Sequence, residues 1–129
     1  MNLVDSCGWL EYLADGPNAQ FFADAIEDVG ESIVPSLALC EVFKRIVQQR
    51  GEGDALQAVA LMQQGRVVDL TPPVALSAAR VSIDERLPMA DSVMLATARS
   101  WGATFWTQDA DFAQVAGVEY IAKTSGSAG

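Results

Sequence analysis

The chain has 129 residues, half of them hydrophobic and 19% charged, which suits one folded domain with a real core better than a disordered segment. Aspartate and glutamate number 17 against 8 lysines and arginines, for a net charge of −9, and histidine is absent. A uniformly basic nucleic-acid surface, charge-driven docking on anionic lipid, a Ser-His-Asp triad, a Cys-His pair and a His-ligated zinc are all excluded.

In chain order, residues 2–4 form a short apolar strand ending at Asp5. Ser6 is placed to cap a helix through Trp9, Tyr12 and Leu13, which recur at helical spacing. Gly16-Pro17 stops it, and Phe21, Phe22, Ala25, Ile26 and Val29 mark a second helix. Residues 32–34 make a second strand, after which Ser36 is placed to cap a helix over 37–49 that Gly51 closes. A helix over 54–64 leads to Gly65 and a strand over 67–70. Pro72-Pro73 opens a helix over 74–86, Pro88 breaks it, and a helix over 91–100 runs to Gly102. Residues 104–107 and 118–121 are the last strands, and 124–129 form a flexible tail after a domain spanning 1–123.

Strands separated by helices imply a mostly parallel sheet covered on both faces, a three-layer α/β/α domain. Ligands of such sheets bind beyond the carboxyl ends of the strands, where the strand order reverses. No apolar run is long enough to cross a bilayer, and the N-terminus carries no basic leader, so a cytoplasmic protein is expected. Cys7 and Cys40 lie in apolar stretches without CxxC spacing and read as reduced, buried residues.

Acids occupy the places that the sheet rule marks. Asp5 ends the first strand and Asp109 follows the fourth, so both face one sheet edge. Asp91 stands at a helix start, and Glu41 interrupts the apolar run from Leu37 to Phe43. Taken singly, each has an ordinary reading: Asp91 as a helix N-terminal acid, Glu41 as a partner of Lys44 and Arg45, Asp109 as a turn residue, and Asp5 as part of a helix start. Taken together, they are four carboxylates that repel one another unless a hard divalent cation joins them. Magnesium or manganese in such a site activates water and holds a phosphodiester without any histidine. Thr107 and Ser6 add hydroxyls beside two of the acids.

The segments Val4-Asp5-Ser6, Ser36 to Val42 around Glu41, Leu87 to Ala98 around Asp91, and Thr107-Gln108-Asp109-Ala110-Asp111-Phe112 resemble, in order and spacing, the four motifs of PIN-domain nucleases. The chain most resembles the VapC toxins of bacterial toxin–antitoxin pairs. The resemblance implies a five-stranded parallel sheet, Mg2+- or Mn2+-dependent cleavage of RNA, a homodimer and inhibition by a VapB-like antitoxin. It implies that Asp5, Glu41, Asp91 and Asp109 are the catalytic, metal-site acids, with Asp111 competing for the fourth place and Thr107 as the motif hydroxyl.

Two further expectations concern partners. Lys44, Arg45 and Arg50 follow Glu41, and Arg80, Arg86 and Arg99 flank the Asp91 segment, which reads either as a basic rim around an acidic pocket or as scattered solubilising charge. Trp9, Tyr12, Phe21 and Phe22 read mostly as core, with some expected to line an exposed groove that takes the antitoxin. The competing functions are a receiver-like phosphoacceptor, with Lys123 as its late lysine, and a PIN scaffold that binds without catalysis. The receiver reading lacks paired acids at the first strand, and Asp69 is expected within its strand.

Overall fold

The computed structural model describes residues 1–124. Its elements are β1 (Asn2–Val4), α1 (Ser6–Leu13), α2 (Ala19–Glu27), β2 (Ile33–Pro35), α3 (Ser36–Arg50), α4 (Glu52–Met62), β3 (Arg66–Val68), α5 (Pro72–Glu85), α6 (Met89–Ser100), β4 (Thr104–Thr107) and β5 (Val118–Tyr120). Short 3-10 turns cover Val29–Glu31 and Ala110–Phe112. Residues 125–129, most of the expected tail, lie outside the described residues.

All strand pairings are parallel. The expected single five-stranded sheet is corrected to two: β1-β4-β5 and β2-β3. They meet through one isolated parallel bridge, Asn2 with Ser32. β1 and β2 are each only three residues long, and among the described residues no continuous ladder forms between them. The lateral order is therefore β3, β2, β1, β4, β5. The chain moves outward from β1 through β2 to β3, then returns to the other side of β1 as β4. The strand order thus reverses between β1 and β4, the position at which such sheets bind ligands.

Both faces of the sheet are covered. Successive strand residues point to opposite faces, yet Leu3 and Val4 are 0% and 3% exposed, and Ile33 and Val34 are equally buried. Helix α1 packs on α2, α3 on α4 and α5 on α6. Ala38, Val42 and Ile46 form the inward stripe of α3, one residue per turn. That stripe turns Cys40 outward: it is exposed, contrary to the expectation of a buried thiol, while Cys7 is half-buried. Among the described residues no helix is long and apolar enough to cross a membrane.

Of the aromatic residues of α1 and α2, Trp9 and Phe22 are core, whereas Tyr12 and Phe21 are half-buried. Trp9 is 3% and Phe22 0% exposed, and Phe21 meets Phe22 and Trp106 edge to face at 5.0 and 5.3 Å. Trp9 and Phe22 therefore do not line the expected antitoxin groove, because α1 packs on α2 and α2 on β1. Gly8 makes that packing feasible, since a Cβ on it would lie 2.6 Å from Val4 Cγ1 and 2.8 Å from the Phe22 ring.

Two expected caps are also corrected. Asp5, not Ser6, is the N-cap of α1, with extended backbone (φ −61°, ψ 157°) and its side chain accepting from the Ser6 amide. Pro35, not Ser36, precedes the first turn of α3, with no side-chain cap bond. In both places the strand runs directly into the helix, so the last strand residue or its neighbour takes the extended cap conformation and the serine becomes the first helical residue.

Candidate metal and phosphodiester site

Asp5 leaves β1 at the switch point, its amide donating to the Trp106 carbonyl of β4 at 2.9 Å. Its carboxylate is 4% exposed. Oδ1 accepts from the Ser6 amide (2.9 Å), and Oδ2 accepts from the Thr107 hydroxyl (2.9 Å) and the Cys7 thiol (3.5 Å). Burial pushes the Asp5 carboxyl up to about 6, opposed by the donors from Thr107, Ser6 and Cys7 and assisted by the charge of Glu41.

Thr107 ends β4 and is wholly buried. While donating to Asp5, its oxygen accepts from the Asp109 amide at 3.0 Å. One hydroxyl thus fixes two of the acids relative to each other. Asp109 also caps the following 3-10 turn, its Oδ1 accepting from the Asp111 amide at 2.9 Å.

Asp91 arrives from a different element. It lies in the first turn of α6, whose N-cap is Pro88 with no side-chain cap bond. It is half-buried. Burial, then the charges of Asp109, Asp5 and Asp111, push its carboxyl up to about 7. One carboxylate oxygen from each of Asp5, Asp91 and Asp109 lies within 4.8 Å of the other two. Among the described residues, no lysine or arginine is ion-paired with any of them.

Glu41 stands beside this trio and not in it. Its Oε1 accepts from Ser6 Oγ at 2.9 Å, tying α3 to α1. Neither Lys44 nor Arg45 is ion-paired with it among the described residues, so the ordinary helix-pair reading does not hold. Asp111 is exposed and outside the trio, although it faces Asp91 closely enough to raise its pKa. Asp69 follows β3 directly instead of lying within it, and it is not part of the acid cluster.

Near the site, Cys7 is read from sequence only as a reduced, buried thiol, and Asn18 and Gln108 are not singled out at all. Cys7 Sγ is 3.4 Å from Thr107 Oγ1 as well as 3.5 Å from Asp5. Burial and then the Asp5 charge push its thiol up to about 12, so it stays protonated and is no nucleophile at neutral pH. Asn18 and Gln108, both buried, bond through Asn18 Nδ2 to Gln108 Oε1 (3.0 Å), and Asn18 Nδ2 also donates to the Ala122 carbonyl (3.0 Å). They hold the loop between Thr107 and Asp109 against α2 and the segment after β5. The position of Gln108 between two site residues was the only signal for them.

The donor set fits a hard divalent cation. It offers only carboxylate oxygens, gathered without a protein cation, and leaves two carboxyls raised by burial and mutual repulsion that a metal would relieve.

Residues 3–118 match the family described as PIN domain. A comparison with curated proteins finds no match. Several solved structures share the fold. The Mycobacterium tuberculosis VapC20, described as a sarcin-ricin loop cleaving toxin, has 20% identity and a TM-score of 0.76 over 95% of this chain and 100% of its own. A toxin–antitoxin complex from Klebsiella pneumoniae gives 18% and 0.75 over 92% and 95%. A DNA-bound VapBC from Salmonella typhimurium gives 14% and 0.72 over 95% and 98%.

Proposed function

This chain belongs to the PIN domain family, and from that premise we propose that it is a divalent-metal-dependent endoribonuclease, the toxin of a type II toxin–antitoxin pair. The observation that carries the reading is the meeting of Asp5, Asp91 and Asp109 at the β1/β4 switch point. Asp5, Asp91 and Asp109 are the residues that would hold Mg2+ or Mn2+. When bound, the ion lowers the pKa of water and offsets charge developing on a phosphodiester.

The chain's own residues divide the remaining work. Thr107 and the Ser6 amide fix both oxygens of Asp5, so this carboxylate is oriented before any ligand arrives. The Thr107 oxygen holds the Asp109 amide, which sets the distance between the two strand-end acids. Glu41, catalytic in the family pattern, acts here beside the trio through Ser6. Asp111 adds charge next to Asp91. With no histidine in the chain and the Cys7 thiol protonated, the carboxylates are the groups left to accept a proton. Membership of the PIN family sets the receiver-like reading aside.

The partners are an RNA substrate, a VapB-like antitoxin and a second copy of the chain, acting in the cytoplasm. The toxin–antitoxin complexes of similar fold support the antitoxin. Cleavage of a panel of structured RNAs, with Mg2+, with Mn2+ and with EDTA, tests the reading. Activity with either metal, none in EDTA, none in Asp91→Asn, and products with 5′-phosphate and 3′-hydroxyl ends are expected. Full activity after exhaustive chelation, or 2′,3′-cyclic phosphate ends, overturns the mechanism.

A further inference from the structure

A groove of about 690 Å³ runs between α1, α3 and α4 and reaches Gln108 and Lys123. It adjoins the acid cluster without any of the three acids lining it: Cys7 lines it and touches both Asp5 and Thr107, and Gln108 lies between Thr107 and Asp109. Along α3, Glu41, Arg45 and Gln49 succeed one another at four-residue spacing, so one helix face leads from the site into the groove.

The charge of this groove departs from that of the chain. Arg45, Arg50 and Lys123 line it, three of only 8 cations in a protein of net charge −9. All three are exposed and have no ion pair among the described residues. Its two acids are Glu11 and Asp54. The Glu11 carboxylate is engaged by the Asn18 amide at 2.7 Å and by Gln108 Nε2 at 3.4 Å, and Asp54 sits in the first turn of α4, where the helix dipole offsets it. None of the three cations is ion-paired among the described residues, and with two acids among its lining the groove carries an excess of one positive charge in a chain of net charge −9. Leu10, Ile46 and Leu61 add apolar lining between them. Of the basic residues flanking the Asp91 segment, Arg99 is paired with Glu85 at 2.6 and 3.0 Å, while Arg80 and Arg86 are exposed and lie outside the groove.

We propose that this groove is a phosphate-backbone subsite, in which Arg45, Arg50 and Lys123 hold the RNA strand on one side of the bond to be cut. The inference deepens the nuclease reading and rests on it. Guanidinium groups take phosphate oxygens in pairs and lysine takes them as a point charge. Bases turned away from that backbone rest on the apolar lining. A chain that repels RNA at long range thereby grips it locally, beside the acids.

Fluorescence anisotropy with a fluorescein-labelled, mixed-sequence 12-nucleotide RNA tests it, using the full-length chain carrying Asp91→Asn so that the probe stays intact. Adding R45Q, R50Q and K123Q together is expected to weaken binding by more than about tenfold. It is also expected to flatten the slope of log affinity against log salt by about 2, since each lost single-strand phosphate contact removes roughly 0.7. Arg45→Lys keeps the slope. R80Q with R86Q, which removes two exposed charges on and after α5, leaves both quantities near the parent's. Equal loss in that control pair overturns the subsite in favour of diffuse charge. Unchanged RNA affinity in the triple variant overturns it as well, and loss of a VapB-like peptide in its place assigns the groove to a protein partner. If the triple variant does not fold, R45Q and K123Q singly are read by the same slope. A wild-type chain, with Asp91 intact and Mg2+ or Mn2+ present, that cleaves no RNA while the triple variant still loses RNA binding refutes the nuclease reading alone.

Discussion

Asp5 and Asp91 are two acids of one cluster held in opposite ways. Asp5 is the more buried, yet it is raised only to about 6, whereas half-buried Asp91 rises to about 7. The difference lies in donors. Asp5 receives hydrogen bonds from Ser6, Thr107 and Cys7 that favour its charged form, while the charges facing Asp91 are those of Asp109, Asp5 and Asp111. Strand ends with satisfied oxygens supply a rigid half of the site; the first turn of α6 supplies a half whose charge is balanced only when a cation joins it.

Neutralising each acid breaks the comparison most sharply. Both Asp5→Asn and Asp91→Asn are expected to cut cleavage by more than the roughly 10–100-fold that losing an outer partner costs a metal site. Without metal, at pH 7, they diverge. Asp91→Asn removes repulsion and melts at or above the parent, whereas Asp5→Asn disturbs the Thr107 and Cys7 bonds and melts below it. Thermal melts in EDTA and in Mg2+ read both, and Mg2+ raises the parent's melting temperature more than that of either variant. An Asp91→Asn protein clearly less stable than the parent in EDTA, with no metal shift in either, returns Asp91 to a structural role.

The same contrast governs pH. Folding raises both carboxyl pKa values above the ordinary 3.8, to about 6 and about 7, so the folded state binds the protons more tightly than the unfolded one. These two groups therefore favour the metal-free fold most below about pH 4. That advantage is lost as pH rises, through about 6 for Asp5 and about 7 for Asp91. Metal binding runs the other way because it needs both carboxylates ionised. Manganese affinity by calorimetry is expected to fall from pH 7 to pH 5, approaching about tenfold per unit for each proton displaced. Affinity independent of pH over that span contradicts the assignment.

Thr107→Val perturbs the strand-end half of the site and leaves Asp91 on α6 untouched. It keeps the shape but strips Asp5 Oδ2 of its shortest donor and the Asp109 amide of its acceptor. Metal affinity is expected to drop about 10–100-fold, with Thr107→Ser close to the parent. The smallest effect comes from Gly8→Ala, which pushes α1 off Val4 and Phe22 and costs about 1–3 kcal/mol by overpacking. Denaturant melts give that figure, and a variant as stable as the parent shows that α1 shifts freely.

The sequence carried the strand-end half of the site well. The bounds of β1 and β4 are as expected, and Asp5, Thr107 and Asp109 follow from them. Pro88 likewise separates α5 from α6 and sets Asp91 in a first turn. What it did not carry depends on rotation and approach. Whether Trp9 and Phe22 line a groove or fill the core turns on how closely α1 meets α2, which Gly8 decides through space. The outward turn of Cys40 follows from which stripe of α3 faces the sheet. Placing Glu41 beside the trio required knowing that Ser6 is helical and not a cap, leaving its hydroxyl for α3. The basic rim was half legible: Arg45 and Arg50 flank a groove beside the site, while Arg99 is tied to Glu85.

The single bridge between Asn2 and Ser32 has a consequence for motion. Asp5 and Asp109 belong to the β1-β4-β5 unit, whereas Glu41 rides on α3 beyond the seam, with β2 and β3. Although one core spans both sheets, the scarcity of backbone bonds between them is expected to let the two open at different free energies, with amide exchange tracing the boundary. Across this boundary the Ser6–Glu41 hydrogen bond acts as a latch. Loss of that bond is expected to loosen the α3 side first, while the two strand-end acids stay joined to each other through Thr107. Faster exchange in β2 and β3 than in β1 and β4 is the signature of that division, and Ser6→Ala widens the gap.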